Sequence, residues 1–213
     1  MAPRVSDAYR DRRRREVLAA ADRVFVRLGY RDATMDDVMT EVGLSRGGLY
    51  RYFPGKAELF WGLLRRQDYA ALARLHGLAD NGRPLADQIL RLFTAQVAHA
   101  ATEAPRARMI LEFRLQHGEE APYAGALEER GRRYRAALAF LLATATARGE
   151  MRPLASADDT ARYLLGLHDG MAIMLGVAAA SGDALSTLTS LWEASLAAAM
   201  GFSTPARSDA DGP

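Results

Sequence analysis

The chain has 213 residues, a formal net charge of +2 and no cysteine, and 49% of its residues are hydrophobic. Such a chain can bury a core of ordinary size, and the missing cysteines exclude disulfides, thiol nucleophiles and Cys-ligated metal sites. The sequence has no apolar stretch of the roughly 20 residues that span a bilayer, and no apolar segment follows the N-terminal arginines as it would in a secretory signal. We therefore expect a cytoplasmic protein.

The charge is distributed unevenly, because residues 1–56 carry a net +4 and residues 57–213 carry a net −2. A basic N-terminal quarter suits contact with a polyanion, although a solvated basic segment would give the same count. We expect residues 1–9 to form a flexible basic arm. The arginines at positions 12–15 fit salt-dependent contacts with a nucleic-acid backbone and a solvated helix face equally well.

Three short-range signals predict the first two helices. Apolar residues recur at three- and four-residue spacing over residues 9–29, where Gly29 stops the first helix. The second helix begins at Thr34, which forms a capping-box pattern with Asp37. It ends at Gly43, a residue that closes helices in the left-handed conformation.

The rest of the chain also has helical periodicity, and no strand-like alternation or internal repeat is apparent. Ser45 caps a short third helix, while Pro105 and Pro122 are placed to open later helices at their first turn. Ser156 and Asp183 are expected caps of the last two. The predicted helices after the second cover residues 46–53, 56–78, 85–101, 105–117, 122–148, 156–179 and 183–200. The fold class is all-α, with residues 203–213 expected to be a disordered tail.

The second and third helices, joined through Gly43, have the arrangement of a helix-turn-helix, whose second helix enters the DNA major groove. Four apolar residues are spaced to hold these helices together: Val38, Val42, Leu44 and Leu49. The residues left to face outward are Ser45, Arg46, Gly47, Gly48, Tyr50, Arg51 and Tyr52. Paired glycines cost a helix roughly 2 kcal/mol relative to alanine, and close approach to another surface would explain them.

This stretch resembles the tetracycline-repressor (TetR) family. The residues that carry the resemblance, at the family's spacing, are Phe25, Gly29, Tyr30, Thr34, Val38, Gly43, Leu44, Ser45, Leu49, Tyr50, Tyr52, Phe53, Lys56 and Leu59. The resemblance implies a helix-turn-helix DNA-binding domain over residues 10–56, with the motif at about 34–53. It also implies a larger ligand-binding and dimerisation domain over residues 57–202, with about nine helices in all. The expected function is that of a homodimeric transcriptional repressor released from a palindromic operator by a small molecule.

The predicted DNA contacts follow from side-chain chemistry at these positions. Thr34 and Lys56 open helices, where backbone N–H groups and the helix dipole favour phosphate, and Ser45 is similar. Tyr50 and Tyr52 can donate phenolic hydrogen bonds to phosphate. A plain N-cap role for Thr34 can hold together with its phosphate contact, whereas partial packing on the first helix is the alternative for Tyr52.

Base reading is assigned to few side chains. Arg46 can bridge guanine O6 and N7. Arg51 is the second candidate because the resemblance places it within reach of DNA, and a phosphate contact is its alternative role. Gly47 and Gly48 have no side chain with which to read bases. Their expected contribution is close docking.

The C-terminal part is expected to supply dimerisation and a ligand pocket, with no cofactor and no metal. The dimer stripe is predicted on the last two helices, although core packing explains the same pattern in part: Leu164, His168, Met171, Leu175, Leu185, Leu188, Trp192, Ser195 and Ala199. The candidate pocket residues, for each of which ordinary core packing is the favoured alternative, are Trp61, Met109, Phe113, His117, Tyr134, His168, Met171 and Met174. They favour an apolar or aromatic ligand.

Two alternative readings belong to other classes of function. An enzyme is disfavoured because the four histidines lack metalloprotease spacing and no nucleophile-elbow motif occurs. A ligand-independent, protein-binding helical adaptor is the remaining alternative. The intact polar residues Thr34, Tyr50, Tyr52 and Lys56 argue against it.

Overall fold

The computed structural model describes residues 7–79, 82–98, 100–181 and 185–201, with side chains described outside 96–103, 172 and 175–189. These residues form helices and connecting turns, with no strand among them. The nine helices of the described residues are α1 (Asp7–Asp32), α2 (Met35–Val42), α3 (Arg46–Tyr50), α4 (Lys56–Gly77), α5 (Leu85–Ala98), α6 (Ala100–His117), α7 (Tyr123–Ala147), α8 (Ala157–Ser181) and α9 (Leu185–Met200). The predicted all-α class is confirmed.

Most helix boundaries lie close to the predicted ones, with three informative differences. α1 begins at Asp7, so residues 7–9 are helical and are not part of a flexible arm. α3 ends at Tyr50, three residues before its predicted end, and the chain turns through residues 51–52 ahead of Pro54, which disfavours helical backbone in the residue before it. α6 already begins at Ala100, so Pro105 lies inside the helix, where a proline costs one backbone hydrogen bond.

Some predicted features fall outside the described residues. These are residues 1–6 of the expected arm, the expected cap Asp183 and the tail at 203–213. Among the described residues, no helix combines the length and apolarity needed to cross a membrane.

The chain divides into two compact units. The first comprises residues 1–71 and 105–128, and the second comprises residues 72–104 and 129–213. The first unit therefore contains the predicted helix-turn-helix together with segments of α4, α6 and α7 beyond the expected boundary at residue 56.

The core of the first unit is built around aromatic rings. Phe113 is fully buried, and its ring centroid lies 4.9 Å from that of Phe60, 5.2 Å from that of Tyr30 and 5.3 Å from that of Tyr123. The predicted apolar faces of α1 and α4 complete this core, with these buried residues: Val17, Leu18, Ala21, Val24, Phe25, Leu59, Phe60, Leu63 and Leu64. The periodicity predicted both faces because each apolar stripe repeats with the helical turn.

The second unit has its own core, formed by one face each of α5, α7, α8 and α9. Its largest buried side chain is Trp192, with Leu141, Leu142 and Leu164 also fully buried. Two helix starts are capped: the Glu150 carboxylate accepts the Ala86 N–H at 2.9 Å, and Ser156 Oγ accepts the Asp159 N–H at 3.1 Å. The second contact confirms the cap predicted at Ser156.

Replacing Phe113 by alanine should destabilise the protein by about 3–5 kcal/mol, because the ring is fully buried among four other aromatic side chains. Chemical denaturation measures the change in the free energy of unfolding. Leu115→Ala is the matched control, since Leu115 lies on the same helix with 78% of its surface exposed and should change stability by less than about 0.5 kcal/mol. Equal effects of the two substitutions would contradict this account of the core.

Candidate nucleic-acid interface

α2 begins with a complete capping box. Thr34 Oγ1 accepts the Asp37 N–H at 3.1 Å, while the Thr34 N–H donates to Asp37 Oδ2 at 2.9 Å. The Thr34 hydroxyl also donates to Asp37 Oδ2 at 2.6 Å. These contacts lower the pKa of Asp37, chiefly through the hydroxyl and then through the backbone N–H. The Thr34 side chain is therefore the predicted N-cap, and its hydroxyl proton is donated to Asp37 in this structure.

The turn between α2 and α3 follows the predicted geometry. Gly43 has φ 68° and ψ 38°, and its N–H donates to the carbonyl of Met39. This left-handed conformation is readily available to glycine. Val38 and Leu49 are buried on either side of the turn, with Val42 and Leu44 partly buried against the same core. The four apolar residues predicted to hold the two helices together do so.

α3 presents polar groups outward from a single buried anchor. Leu49 is fully buried, whereas Ser45, Arg46, Tyr50 and Arg51 are exposed. Ser45 Oγ accepts the Gly48 N–H at 3.3 Å, so the predicted cap is present. The helix therefore has one side fixed to the core and another free to meet a ligand.

The two glycines of α3 differ in their surroundings. A Cβ added at Gly47 would meet no atom within 4 Å, so nothing in this chain requires glycine there. A Cβ at Gly48 would lie 3.3 Å from Ser45 Oγ, inside the capping contact. Gly48 thus fits the cap itself, and Gly47 leaves an open approach to the backbone of α3.

The two arginines of this region pack over tyrosine rings. The Arg46 guanidinium carbon lies 5.6 Å from the centroid of Tyr50, and that of Arg51 lies 5.6 Å from the centroid of Tyr52. Tyr52 is half-buried against the core, which matches the packing alternative considered for it. Cation–π contacts at exposed sites contribute about 0.5–1 kcal/mol, enough to bias an arginine rotamer without fixing it.

Lys56 does not present a free ammonium. Its Nζ donates to the carbonyl oxygens of Tyr30 at 2.9 Å, Arg31 at 3.0 Å and Ala33 at 3.0 Å. It also lies 4.7 Å from the centroid of the Tyr30 ring. Partial burial lowers the pKa of Lys56, while Asp32 and Glu112 oppose that change. The sequence-based expectation of an ammonium available to phosphate is therefore corrected, since all three protons already have acceptors.

Glu112 contacts the same short segment from α6. Its Oε2 accepts the N–H groups of Tyr30 at 2.8 Å and Arg31 at 3.1 Å, and its Oε1 accepts from Arg108 Nε at 2.8 Å. Burial raises the pKa of this carboxyl, but the bonds from Arg31, Arg108 and Tyr30 outweigh it and leave the pKa below its ordinary value. Sequence analysis missed Glu112, because no local pattern marks an acid that contacts backbone some 80 residues away.

A second acid missed by sequence analysis joins α2 to α1. Glu41 accepts from Arg23 Nε at 2.7 Å and from Arg27 at 3.5 Å. The pKa of Glu41 is lowered, chiefly by the hydrogen bond from Arg23. The arginines lie one helical turn apart on α1, which is the only trace of this pairing in the sequence.

The candidate ligand-lining residues are divided between the two units. Trp61, Met109, Phe113 and His117 belong to the first, where Met109 and Phe113 are fully buried core. His117 has both ring nitrogens engaged, with Nε2 2.7 Å from the Tyr30 hydroxyl and Nδ1 2.9 Å from Glu120. These contacts match the alternative of a hydrogen-bonded core histidine.

The other candidates, Tyr134, His168, Met171 and Met174, belong to the second unit. The Phe93 ring lies 6.0 Å from the His168 ring and 6.3 Å from that of Trp192. Among the described side chains, Trp192 Nε1 is buried without a hydrogen-bond partner. A buried donor without a partner costs about 1–3 kcal/mol.

The predicted dimer stripe requires correction at two positions. Leu164 and Trp192, at 0% and 1% exposure, pack inside their own unit, because both point into the core shared by α5, α7, α8 and α9. His168, Met171, Ser195 and Ala199 are half-buried. The side chains of Leu175, Leu185 and Leu188 lie outside the described residues. Among the side chains of α8 and α9 that the structure describes, the large apolar ones that are exposed are Tyr163, Ile173, Met174 and Leu191.

Comparison with known proteins identifies the family. A profile of the bacterial regulatory proteins of the tetR family matches residues 17–61. The HTH-type transcriptional regulator YfiR of Bacillus subtilis is 30% identical over 174 residues, which cover 80% of this chain and 83% of YfiR. The HTH-type transcriptional repressor BepR of Brucella suis is 27% identical over 161 residues, covering 74% of this chain and 77% of BepR.

A solved structure has the same fold. The transcriptional regulator FadR of Bacillus subtilis, crystallised with stearoyl-CoA, matches with a TM-score of 0.67 at 15% identity, covering 85% of this chain and 96% of FadR. The matched profile includes α2, α3 and the start of α4, where the exposed polar side chains described above are found. The chain belongs to the TetR family and is a DNA-binding transcriptional regulator.

Proposed function

We propose that this regulator reads its operator with α3, with Arg46 as the principal base-reading side chain. The observation that carries the proposal is the outward presentation of Ser45, Arg46, Tyr50 and Arg51 around the single buried anchor Leu49. An arginine at the start of a recognition helix can form a bidentate contact with guanine. The open space at Gly47 supports a close approach of α3 to the groove.

The proposed phosphate contacts come from α3 and from helix N-termini. Ser45, Tyr50, Arg51 and Tyr52 supply side-chain donors, while Gly48 keeps the start of α3 compact. At Thr34 and Lys56 the backbone N–H groups of the following helix turn are the proposed donors, since both side chains have acceptors within the protein. The matching profile over this segment supports the assignment.

Replacing Arg46 by alanine should weaken binding to a selected operator by about 1–3 kcal/mol and relax base preference at one position in each half-site. The operator is first obtained by selection from random DNA, and affinity is then titrated for wild type and variant on single-base operator mutants. Arg65→Ala is the control, since Arg65 is an exposed arginine on α4 outside the proposed interface. An unchanged base preference in the Arg46 variant would move base reading to Arg51.

We further propose that the protein binds DNA as a homodimer through α8 and α9. A reader of this size covers one half-site, and two-fold symmetry supplies the second. Exposed Tyr163, Met174 and Leu191 offer an apolar surface on these helices, and exposed Gly166 and Gly170 on α8 allow a second helix to approach. His168, Met171, Ser195 and Ala199 are retained in the proposed interface as half-buried neighbours of that surface.

An aspartate at Leu191 should convert the dimer to a monomer, because a buried unpaired charge opposes association strongly. Sedimentation velocity of wild type and Leu191→Asp measures the mass directly, and operator binding should fall together with the dimer. Leu154→Asp is the matched control, since Leu154 belongs to the same unit and is 82% exposed just before α8. A Leu191→Asp protein that stays dimeric would place the interface elsewhere.

The regulatory part of the proposal is that the protein represses transcription until an apolar effector binds in the second unit. The name of BepR and the stearoyl-CoA bound to FadR support this direction. Within this chain, Phe93, His168 and Trp192 form an aromatic group at the core of the second unit, and the Trp192 indole N–H has no partner among the described residues. We propose that the effector has an apolar body and at least one hydrogen-bond acceptor.

Stearoyl-CoA is the first compound to test, followed by aromatic ketones and amides of similar acceptor chemistry. A true effector at 100 times its Kd should stabilise the protein by about 2.7 kcal/mol, seen as a rise in Tm, and should release the operator in the same titration. Trp192→Phe removes the indole donor and should weaken the response while keeping most of the core volume. A compound that raises Tm without changing operator affinity would contradict the repressor scheme.

A further inference from the structure

We propose that Lys56 and Glu112 form a charged clamp on residues 30–33, and that Lys56 supports operator binding by positioning the helix-turn-helix without contacting phosphate. The proposal rests on operator binding through α3 as described above.

The clamped segment begins at a break in the helical backbone of α1. Gly29, which precedes it, has φ 80° and ψ 170°, far from helical values, so the backbone changes direction there. Thr34, which follows it, is the N-cap of α2. Residues 30–33 therefore connect the main part of α1 to the N-terminus of α2, where the helix-turn-helix begins.

The clamp matches the polarity of the exposed peptide groups. The Glu112 carboxylate accepts the N–H groups of Tyr30 and Arg31, and the Lys56 ammonium donates to the carbonyls of Tyr30, Arg31 and Ala33. Hydrogen bonds with a charged partner are about twice as strong as neutral ones. Five backbone groups around the break in α1 thus find charged partners on α4 and α6.

The side chain of Tyr30 locks the same segment from inside. Tyr30 is 1% exposed, its hydroxyl lies 2.7 Å from His117 Nε2, and its ring lies under the Lys56 ammonium at 4.7 Å. A swing of Lys56 toward a DNA phosphate would leave three carbonyls without their donor and would end the ring contact. The Lys56 ammonium therefore keeps its hydrogen bonds within the protein and does not contact DNA.

The salt dependence of operator binding separates positioning from phosphate contact. A phosphate contact contributes about 0.9 to the slope of log K against log salt, or about 1.8 for the two lysines of a dimer. We expect Lys56→Gln to lose about tenfold in operator affinity, equivalent to 1.4 kcal/mol, with the slope unchanged. Arg65→Gln, which removes the same charge from an exposed position on α4, should leave affinity nearly unchanged.

The effect of Glu112→Gln on operator affinity has opposite signs if net charge alone matters and if the clamp matters. If only net charge mattered, loss of a negative charge would strengthen binding to DNA. The clamp predicts a weaker complex, because a neutral amide replaces the charged acceptor of two backbone N–H groups. Glu119→Gln removes the same charge from an exposed position and is the matched control.

Because the chain has a single lysine, its side-chain ammonium can be observed directly in the wild-type protein. This measurement tests the clamp even if the Lys56 or Glu112 variant fails to fold. Labelling with ¹⁵N-lysine places one side-chain ammonium signal in the spectrum, because Lys56 is the only lysine in the chain. The clamp predicts slowly exchanging ζ protons and an unchanged ζ resonance when operator is added. A slope that falls by about 1.8 in Lys56→Gln, or a ζ resonance that moves on the operator, would overturn the inference. Failure of the wild type to bind any selected operator would instead overturn the proposed function.

Discussion

The backbone break at Gly29 creates the constraint around which the first unit is organised. A chain that leaves helical geometry beside a core must find new partners for its peptide groups, because unsatisfied buried N–H and C=O groups are costly. Here the partners are charged side chains from two other helices, Lys56 of α4 and Glu112 of α6. The start of the helix-turn-helix is therefore fixed by electrostatic contacts with helices outside the motif itself.

The same constraint explains why the unit extends past the predicted motif boundary. Tyr30 packs among Phe25, Phe60 and Phe113. The segment that the clamp holds therefore also contributes a side chain to the aromatic core. Apolar burial supplies most of the stabilisation of such a unit, while the charged contacts select one orientation of the chain. The five-residue helix α3 needs this support, since so short a helix has almost no stability of its own.

The division of labour within α3 follows from its single anchor. Leu49 is the only buried residue of Arg46–Tyr50, so the other positions are available for contacts outside the protein core. The arginines stack on tyrosines of the same turn, so their guanidinium groups are partly ordered before any ligand arrives. Partial ordering lowers the entropy that binding must overcome, which favours affinity without adding contacts.

Local sequence determined the helices, their caps and the identity of the motif. The capping contacts of Thr34, Gly43 and Ser45 join residues no more than four positions apart, so the local sequence predicts them. The apolar stripes of α1 and α4 repeat with the helical turn and are predicted in the same way. Only the tertiary structure decided the partners of Lys56, the role of Glu112, and the burial of Leu164 and Trp192 inside their own unit. Those outcomes depend on which elements meet in space, and residues as far apart as Tyr30 and Glu112 leave no periodic or local trace of their contact.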